Sequence, residues 1–163
     1  MRFFARWGQA LIAPRAAMQR TDADPLPGRA GGDVVRALAI VVLVAHTREL
    51  VAAGWIISRL GVGLAMPAII GALSASATVP LVFVLLAAPT ITVVAGARRE
   101  LGRDIDLACV AALAPALVVL IASTLGTLVP LGAAGRAIVL AAALGWGAVI
   151  AAHGVAIARR RSA

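Results

Sequence analysis

The sequence GVGLAMPAIIGALSASATVPLVFVLLAAPTITVVAGA occupies residues 61–97 and contains no charged side chain. Two more uncharged runs follow it, at residues 107–135 and 137–158. About 20 apolar residues in a helix are enough to span the hydrocarbon core of a bilayer. Three such runs in a chain of 163 residues therefore predict an integral membrane protein, whose fold class is an all-α, polytopic transmembrane helical bundle.

The composition agrees with a membrane protein and limits its partners. Hydrophobic residues make up 62% of the chain and charged residues 13%, against about 45–50% and about 25% in an average soluble domain. The net charge of +8 comes from arginine alone, and the arginines flank apolar runs, where they meet anionic headgroups. We therefore expect membrane lipids as partners and no nucleic acid. An arginine-rich, lysine-free composition is typical of GC-rich bacterial genomes and indicates the bacterial inner membrane.

Residues 1–32 are predicted to form a separate cytoplasmic or interfacial segment. Its first part is amphipathic, with Phe3, Phe4, Trp7 and Leu11 on one helical face and Arg2, Arg6 and Gln9 on the other. A helix of this kind lies in the headgroup plane of a membrane. Pro14 is expected to end or kink the helix, and residues 20–32, rich in glycine and proline, are predicted to form a loop.

Residues 33–163 are predicted to form the transmembrane domain, with Asp33 as the N-cap of its first helix. The predicted spans are residues 34–58, 79–97, 106–123 and 137–158. Prolines interrupt the run at 61–97, so residues 61–78 are interpreted as a broken helix that packs on the bundle or rests at the interface. A competing interpretation makes 61–97 a hairpin of two spans and leaves 34–58 on the membrane surface.

The distribution of arginine predicts the orientation. Six arginines precede residue 37, three lie in the loop at 98–106 and three lie at the C-terminus. The excess of positive charge in cytoplasmic loops places these three groups inside the cell. This requires an even number of crossings before Arg98, and four spans with both termini in the cytoplasm are the simplest arrangement.

One cluster of ionisable residues interrupts the first predicted span and is a candidate functional site. His46, Arg48 and Glu49 would lie near mid-depth of a single helix over residues 34–58, where each charge is costly and often marks an ion or proton path. His46 and Glu49 are three residues apart and share a helical face, so they can pair. The alternative is a tilted or interfacial helix in which the cluster is solvated.

A stripe of small residues on the last predicted span indicates close helix packing. It consists of Ala143, Gly147, Ala151, Gly154 and Ala158. Small side chains on one face allow two helix backbones to approach closely. The sequence does not decide whether the partner helix belongs to this chain or to another subunit.

The sequence contains none of the common catalytic motifs that we sought, namely a phosphate-binding P-loop, a G-x-S-x-G elbow and an H-E-x-x-H pair. The only cysteine, Cys109, lies in an apolar run and is interpreted as a small buried hydrophobe. Asp104 and Asp106 begin a predicted helix, where capping is the ordinary explanation of acidic residues. We expect no catalytic residue, no cofactor and no metal site.

Two segments resemble bacterial members of the Yip domain family. They are ALIAPRAAM at residues 10–18 and ARRELGRDIDLACVAALAPALVVL at residues 97–120, a charged turn that leads into a proline-containing helix. The resemblance implies a small multispan membrane protein with five spans, whereas the arginines here favour an even number. The D-L-Y-G-P signature of the eukaryotic relatives is missing, so the resemblance assigns no functional residue in this chain.

These observations predict a non-enzymatic inner-membrane protein that serves as a structural or accessory subunit. Its expected partners are other membrane protein subunits or further copies of itself. The runner-up is a small transporter or ion-conducting component that uses the cluster of His46, Arg48 and Glu49. An intramembrane enzyme ranks third, because no nucleophile with a neighbouring base is visible.

Overall fold

The computed structural model describes residues 3–24, 28–96, 101–128 and 132–162, and within these ranges the chain is helical and contains no strand. The helices are α1 (Phe3–Ile12), α2 (Pro14–Ala23), α3 (Arg29–Ala45), α4 (Thr47–Leu60), α5 (Val62–Ala95), α6 (Leu101–Leu128) and α7 (Ala133–Ser162). The predicted all-α class is confirmed. Three helices contain segments long and apolar enough to cross a membrane: Ser76–Val94, Leu101–Ala122 and Ala133–Arg160.

Helix α6 lies at the centre of the bundle, and α3, α5 and α7 pack around it. Residues 107–114 are all buried, although alanine supplies half of them. Small side chains give little apolar area each, but they let neighbouring backbones come close on several faces at once. A helix that is apolar all round is typical of such a central position.

Contacts between residues distant in sequence align the helix ends. The Gly28 N–H donates a hydrogen bond to Asp106 Oδ2 at 2.7 Å, and Arg159 Nε donates to the Val94 carbonyl at 3.4 Å. The Thr92 hydroxyl near the end of α5 donates to Asp104 Oδ2 near the beginning of α6 at 2.9 Å, so the beginnings of α3 and α6 lie beside the ends of α5 and α7. We call this region the polar end of the bundle, and we call residues 47–74 the α4–α5 hairpin.

The N-terminal segment packs against the rest of the bundle. Pro14 separates α1 from α2, as expected, and is the first residue of α2. Trp7 is buried, and its indole Nε1 donates to the Leu113 carbonyl of α6 at 3.0 Å. Only part of the apolar surface of α1, including Phe4 and Ile12, stays exposed.

The predicted loop at residues 20–32 is shorter in the structure. Helix α2 continues to Ala23 and α3 already begins at Arg29, so the connection is confined to residues 24–28, of which 25–27 lie outside the described residues. Gly28, with φ of +91°, precedes α3, because glycine adopts this left-handed conformation without strain. The prediction of Asp33 as N-cap is therefore wrong, and Asp33 lies inside α3.

Residues 34–58 form two helices and not the single span that the sequence predicts. The break is at His46, whose φ and ψ of −117° and 27° interrupt the helical geometry. Thr47 begins α4, and its hydroxyl donates to the Leu43 carbonyl at 2.6 Å at the end of α3. Such side-chain bonds compete with the regular backbone pattern and favour a bend.

Helix α3 runs parallel to α6 and packs along it. Its buried face, formed by Ala30, Val34, Ala37 and Val41, extends over most of its length. Because α3 begins beside Asp106, near the start of α6, it can follow α6 only toward the C-terminal end of that helix. At about 1.5 Å per residue, α3 rises about 25 Å from Arg29 to Ala45.

Within Val62–Ala95 the structure shows neither the predicted break nor the competing hairpin of two spans, and residue 97 of the predicted span 79–97 lies outside the described residues. Helix α5 is continuous over 34 residues and includes Pro67, Pro80 and Pro89. A proline removes one backbone hydrogen bond, but the bonds before and after it remain. In an apolar environment the backbone gains most by keeping these bonds inside a helix.

The last two predicted spans, 106–123 and 137–158, lie inside α6 and α7, which are both longer. Helix α6 ends at Leu128 and α7 begins at Ala133. Residues 129–131 of the predicted turn at 126–135 lie outside the described residues.

Candidate functional site

The small-residue stripe of α7 faces the interior of this chain. Ala143, Gly147, Gly154 and Ala158 are buried, and Ala151 is half-buried. A β-carbon at Gly147 would lie 3.0 Å from the Phe83 ring of α5 and 3.0 Å from Pro115 Cγ of α6.

The stripe also faces the interior of the chain at Gly154, about two turns further along α7. A β-carbon at Gly154 would lie 3.6 Å from Met18 Sδ of α2 and 3.7 Å from Ile91 Cδ1 of α5. The partners of the stripe are thus helices of the same chain, so the stripe is not a free surface for another subunit.

The cluster of His46, Arg48 and Glu49 lies at the junction of α3 and α4. His46 Nδ1 is 4.0 Å from Glu49 Oε2, so these two residues come together as their spacing predicts. Arg48 and Glu49 are exposed, and Arg48 lines a surface groove on α4 together with apolar side chains that include Val51 and Trp55. The structure therefore places the cluster on the surface and not along a polar path through the bundle.

Asp104 and Asp106, interpreted from the sequence as capping residues, join helices instead. Both are buried, with exposed fractions of 0% and 5%. Asp104 Oδ2 accepts a hydrogen bond from the Thr92 hydroxyl of α5 at 2.9 Å, and Asp106 holds Gly28 as described above. The residues in these two contacts are 12 and 78 positions apart in the sequence. Local spacing therefore does not predict the contacts.

A part-buried ion pair joins α1 to α3. Arg6 Nε and Nη2 each lie 2.5 Å from an oxygen of the Asp33 carboxylate, which forms a two-pronged pair. Asp33 also accepts a bond from Arg36 at 3.3 Å. The hydrogen bonds that Arg6 donates to Asp33, together with the negative charge of Asp33, raise the pKa of Arg6 above its ordinary value despite the opposing effect of desolvation.

These residues surround a cavity of about 210 Å³ between α1, α2, α3 and α6 at the polar end. Its polar lining consists of Arg6, Gln9, Arg20, Thr21, Asp24, Arg29, Asp33 and Asp106, and its apolar lining of Ala17, Ala30, Val110 and Leu113. We call it the polar cavity. Formal charges balance in it, because three arginines face three aspartates.

One buried side-chain oxygen beside the polar cavity lacks a hydrogen-bond partner in the part of the chain that the structure describes. Asp106 lines the cavity, and its Oδ2 accepts the Gly28 N–H, but its Oδ1 is buried and has no partner. An unpaired buried carboxylate oxygen is costly, since a carboxylate in water accepts several hydrogen bonds. This oxygen is the strongest indication of a ligand site in the described residues.

The polar cavity offers side chains that can contact a small ligand. Among the described residues no group of three or more histidine, cysteine or acidic side chains could hold a metal ion. The polar cavity contains carboxylates, guanidinium groups, an amide and a hydroxyl, the last of which donates to the Ala17 carbonyl of its own helix. Such groups can recognise charge and hydrogen-bonding pattern in a small ligand.

The chain matches no family model, no curated protein and no solved structure. The resemblance to the Yip domain family therefore stays a prediction that rests on the segments at residues 10–18 and 97–120.

Proposed function

We propose that the chain is a non-enzymatic accessory subunit of a bacterial inner-membrane complex, and that the α4–α5 hairpin binds the partner subunit. The observation that supports this proposal is the uncovered apolar surface of the hairpin. Helix α4 buries only Ala53. The exposed large side chains of the hairpin are Val51, Trp55, Ile57, Leu60, Val62, Leu64, Met66, Ile70 and Leu73.

The length of α5 argues that lipid alone does not cover this surface. Its 34 residues correspond to about 51 Å at 1.5 Å per residue. Even at a tilt of about 40°, near the upper limit for membrane helices, α5 would extend about 39 Å along the membrane normal, against about 30 Å of hydrocarbon. An apolar part of α5 thus emerges from the hydrocarbon core, and apolar helices of a partner subunit would cover it.

The first test removes one large side chain from the hairpin. Trp55→Ser is expected to release a stoichiometric partner during purification in mild detergent, because Trp55 is 62% exposed on α4 and contributes a large apolar area to a contact. The measurement is the subunit ratio in the purified complex, determined by mass spectrometry.

Trp146→Ser is the matched control, since Trp146 is 45% exposed on α7, away from the hairpin. It should retain the partner at the wild-type ratio. Loss of the partner in both variants, or in neither, would contradict docking through the hairpin.

We further propose four crossings, with α3 as the first and the termini in the cytoplasm. Three candidate spans lie in α5, α6 and α7, and α3 follows α6 for about 25 Å. With α3 included, the arginine-rich N-terminal segment and the end of α7 meet at the polar end, which agrees with the excess of positive charge expected inside the cell.

Cysteine labelling in whole cells tests this topology. In a Cys109→Ala background, Ser58→Cys on α4 is expected to react with a membrane-impermeant maleimide added outside. Gln19→Cys on α2 should react only after the membrane is opened. Both positions are exposed in the structure, so the difference would report sidedness, and labelling of Gln19→Cys in intact cells would refute the orientation.

A further inference from the structure

The polar cavity has a buried floor and an exposed mouth. Asp106 and Asp33, at 5% and 4% exposed, form the floor. At the mouth, the Arg29 side chain is 54% exposed and its Nη1 is 3.5 Å from Asp24 Oδ2. The Gly28 N–H binds Asp106, so one helix start positions the carboxylate in the floor and the guanidinium at the mouth.

The floor of the polar cavity is complementary to a ligand group that donates hydrogen bonds and carries positive charge. Asp33 is already bound by two arginines, whereas Asp106 Oδ1 has no hydrogen-bond partner. A buried carboxylate is stabilised when a cation pairs with it and satisfies its lone pairs. A primary ammonium group meets both needs, because it has three N–H donors and one positive charge.

The rest of the lining suits an anion next to that ammonium. Arg20 and Arg29 line the cavity together with Gln9. Each guanidinium carries five N–H donors in a planar fork, which matches the oxygens of a phosphate. Because the three arginines and three aspartates balance, a ligand without net charge enters at the lowest electrostatic cost.

The size and position of the cavity limit the ligand further. A volume of about 210 Å³ is below the range of about 300–1,000 Å³ typical of pockets for drug-sized molecules. The cavity lies at the polar end of the bundle, beside the beginnings of α3 and α6. In a membrane-spanning bundle this is the depth at which lipid headgroups lie.

We propose that the polar cavity binds an ammonium–phosphate zwitterion of the phosphoethanolamine type, with the ammonium donating to Asp106 Oδ1 and the phosphate accepting from Arg29 and Arg20. The same chemistry is available from the headgroup of phosphatidylethanolamine and from free phosphoethanolamine. This site is independent of the α4–α5 hairpin, so it stands whether or not the hairpin binds a partner.

The experiment measures binding to the full-length chain in nanodiscs of pure phosphatidylcholine. Soluble phosphoethanolamine is expected to bind at least about 10-fold more tightly than phosphocholine, because a quaternary ammonium has no N–H to donate and a charge-assisted hydrogen bond contributes about this much. Equal affinities for the two compounds would overturn the proposal.

Asp106→Asn tests the residue directly. The amide oxygen can still accept the Gly28 N–H, while the amide NH₂ places a donor where the ammonium would donate. We expect phosphoethanolamine affinity to fall at least about 10-fold. Asp104→Asn is the control, since Asp104 is equally buried but does not line the cavity, and it should bind like the wild type.

Arg29→Gln keeps the test decisive if Asp106→Asn fails to fold. Arg29 is largely exposed, so its replacement should leave the bundle intact. It should weaken binding of phosphoethanolamine several-fold and leave binding of ethanolamine, which has no phosphate, unchanged. An unchanged affinity for phosphoethanolamine would contradict the assigned orientation.

A second arm identifies the source of the ligand. The chain is reconstituted with equal amounts of phosphatidylethanolamine and phosphatidylcholine and re-extracted in mild detergent, and the retained lipid is quantified by mass spectrometry. Enrichment of phosphatidylethanolamine in the wild type, lost in Asp106→Asn, identifies the lipid headgroup. Binding of soluble phosphoethanolamine without lipid enrichment identifies the free compound, and absence of both refutes the site.

Discussion

Gly147→Leu is expected to lower the free energy of unfolding by about 3 kcal/mol, or to prevent folding, because overpacking a tight core costs about 1–3 kcal/mol and sometimes more. A β-carbon at this position would lie only 3.0 Å from the Phe83 ring and from Pro115 Cγ. The two neighbours come from different helices, and a proline ring cannot rotate away as a flexible side chain can. Leucine adds three further carbons beyond that β-carbon.

Gly145→Leu is the matched control for this change. It lies on the same helix, and a β-carbon there would meet nothing within 4 Å. Both variants remove the backbone freedom of one helical glycine, so the intrinsic gain in helix propensity is the same in each. Thermal unfolding in detergent, followed by circular dichroism and size-exclusion chromatography, compares them. Equal melting temperatures in the two variants would show that α5, α6 and α7 are not closely packed at Gly147.

Arg6→Ala is expected to cost about 3 kcal/mol, the lower end of the range of about 3–5 kcal/mol for removing one partner of a buried ion pair. Asp33 would keep its charge in an environment where it is 4% exposed, with Arg36 as its remaining cation. We use the lower value because the Arg6 side chain is 24% exposed, and water reduces its contribution. The expected structural result is release of α1 from α3.

The fluorescence of Trp7 measures the release of α1, because Trp7 is buried on α1 one residue after Arg6. In a variant with Trp55 and Trp146 replaced by phenylalanine, Arg6→Ala should shift Trp7 fluorescence toward the emission of an exposed indole. Arg15→Ala removes an exposed arginine from α2 and should leave the spectrum unchanged. The double variant Arg6→Leu/Asp33→Leu should recover much of the lost stability, since it leaves no buried charge unpaired.

The pair should not make stability depend on pH in the neutral range. Asp33 raises the pKa of Arg6 in the folded chain. The contribution of Arg6 to the free energy of unfolding is therefore fully present below the pKa that Arg6 has in the unfolded chain. It is lost only as the pH rises through the still higher pKa of the folded state. Both values lie far above neutrality, so the effect of Arg6→Ala should be the same at pH 6 and pH 9.

Local sequence patterns predicted the helical class and the approximate positions of the last two spans. Apolar runs such as residues 137–158 are long enough to decide their own structure, because an apolar environment forces backbone groups to pair within a helix. The sequence does not indicate the break at His46, because one residue interrupts two segments that are both good helix formers. The three prolines of α5 favour a break, whereas the backbone hydrogen bonds before and after each proline keep the helix continuous.

The polar cavity was not predictable in the same way. Arg6 and Asp33 are 27 residues apart, and Gly28 and Asp106 are 78 residues apart. An acidic residue near a helix start is most often explained by capping, and only the packing of α3 beside α6 shows that Asp106 has another role. The small-residue stripe was found from its spacing, whereas its partners, Phe83, Pro115 and Met18, required the structure.

The hydrogen bond from Trp7 to Leu113 also sets an order of events during synthesis. These residues are 106 positions apart, and at about 5–20 residues per second α6 emerges from the ribosome roughly 5–20 s after α1. During that interval Trp7 has no bundle to enter, and the aromatic face of α1 is suited to the headgroup layer. The amphipathic pattern of the first residues then suits the location of α1 in the headgroup layer before α6 is synthesised, and the indole bond to α6 defines its location in the folded bundle.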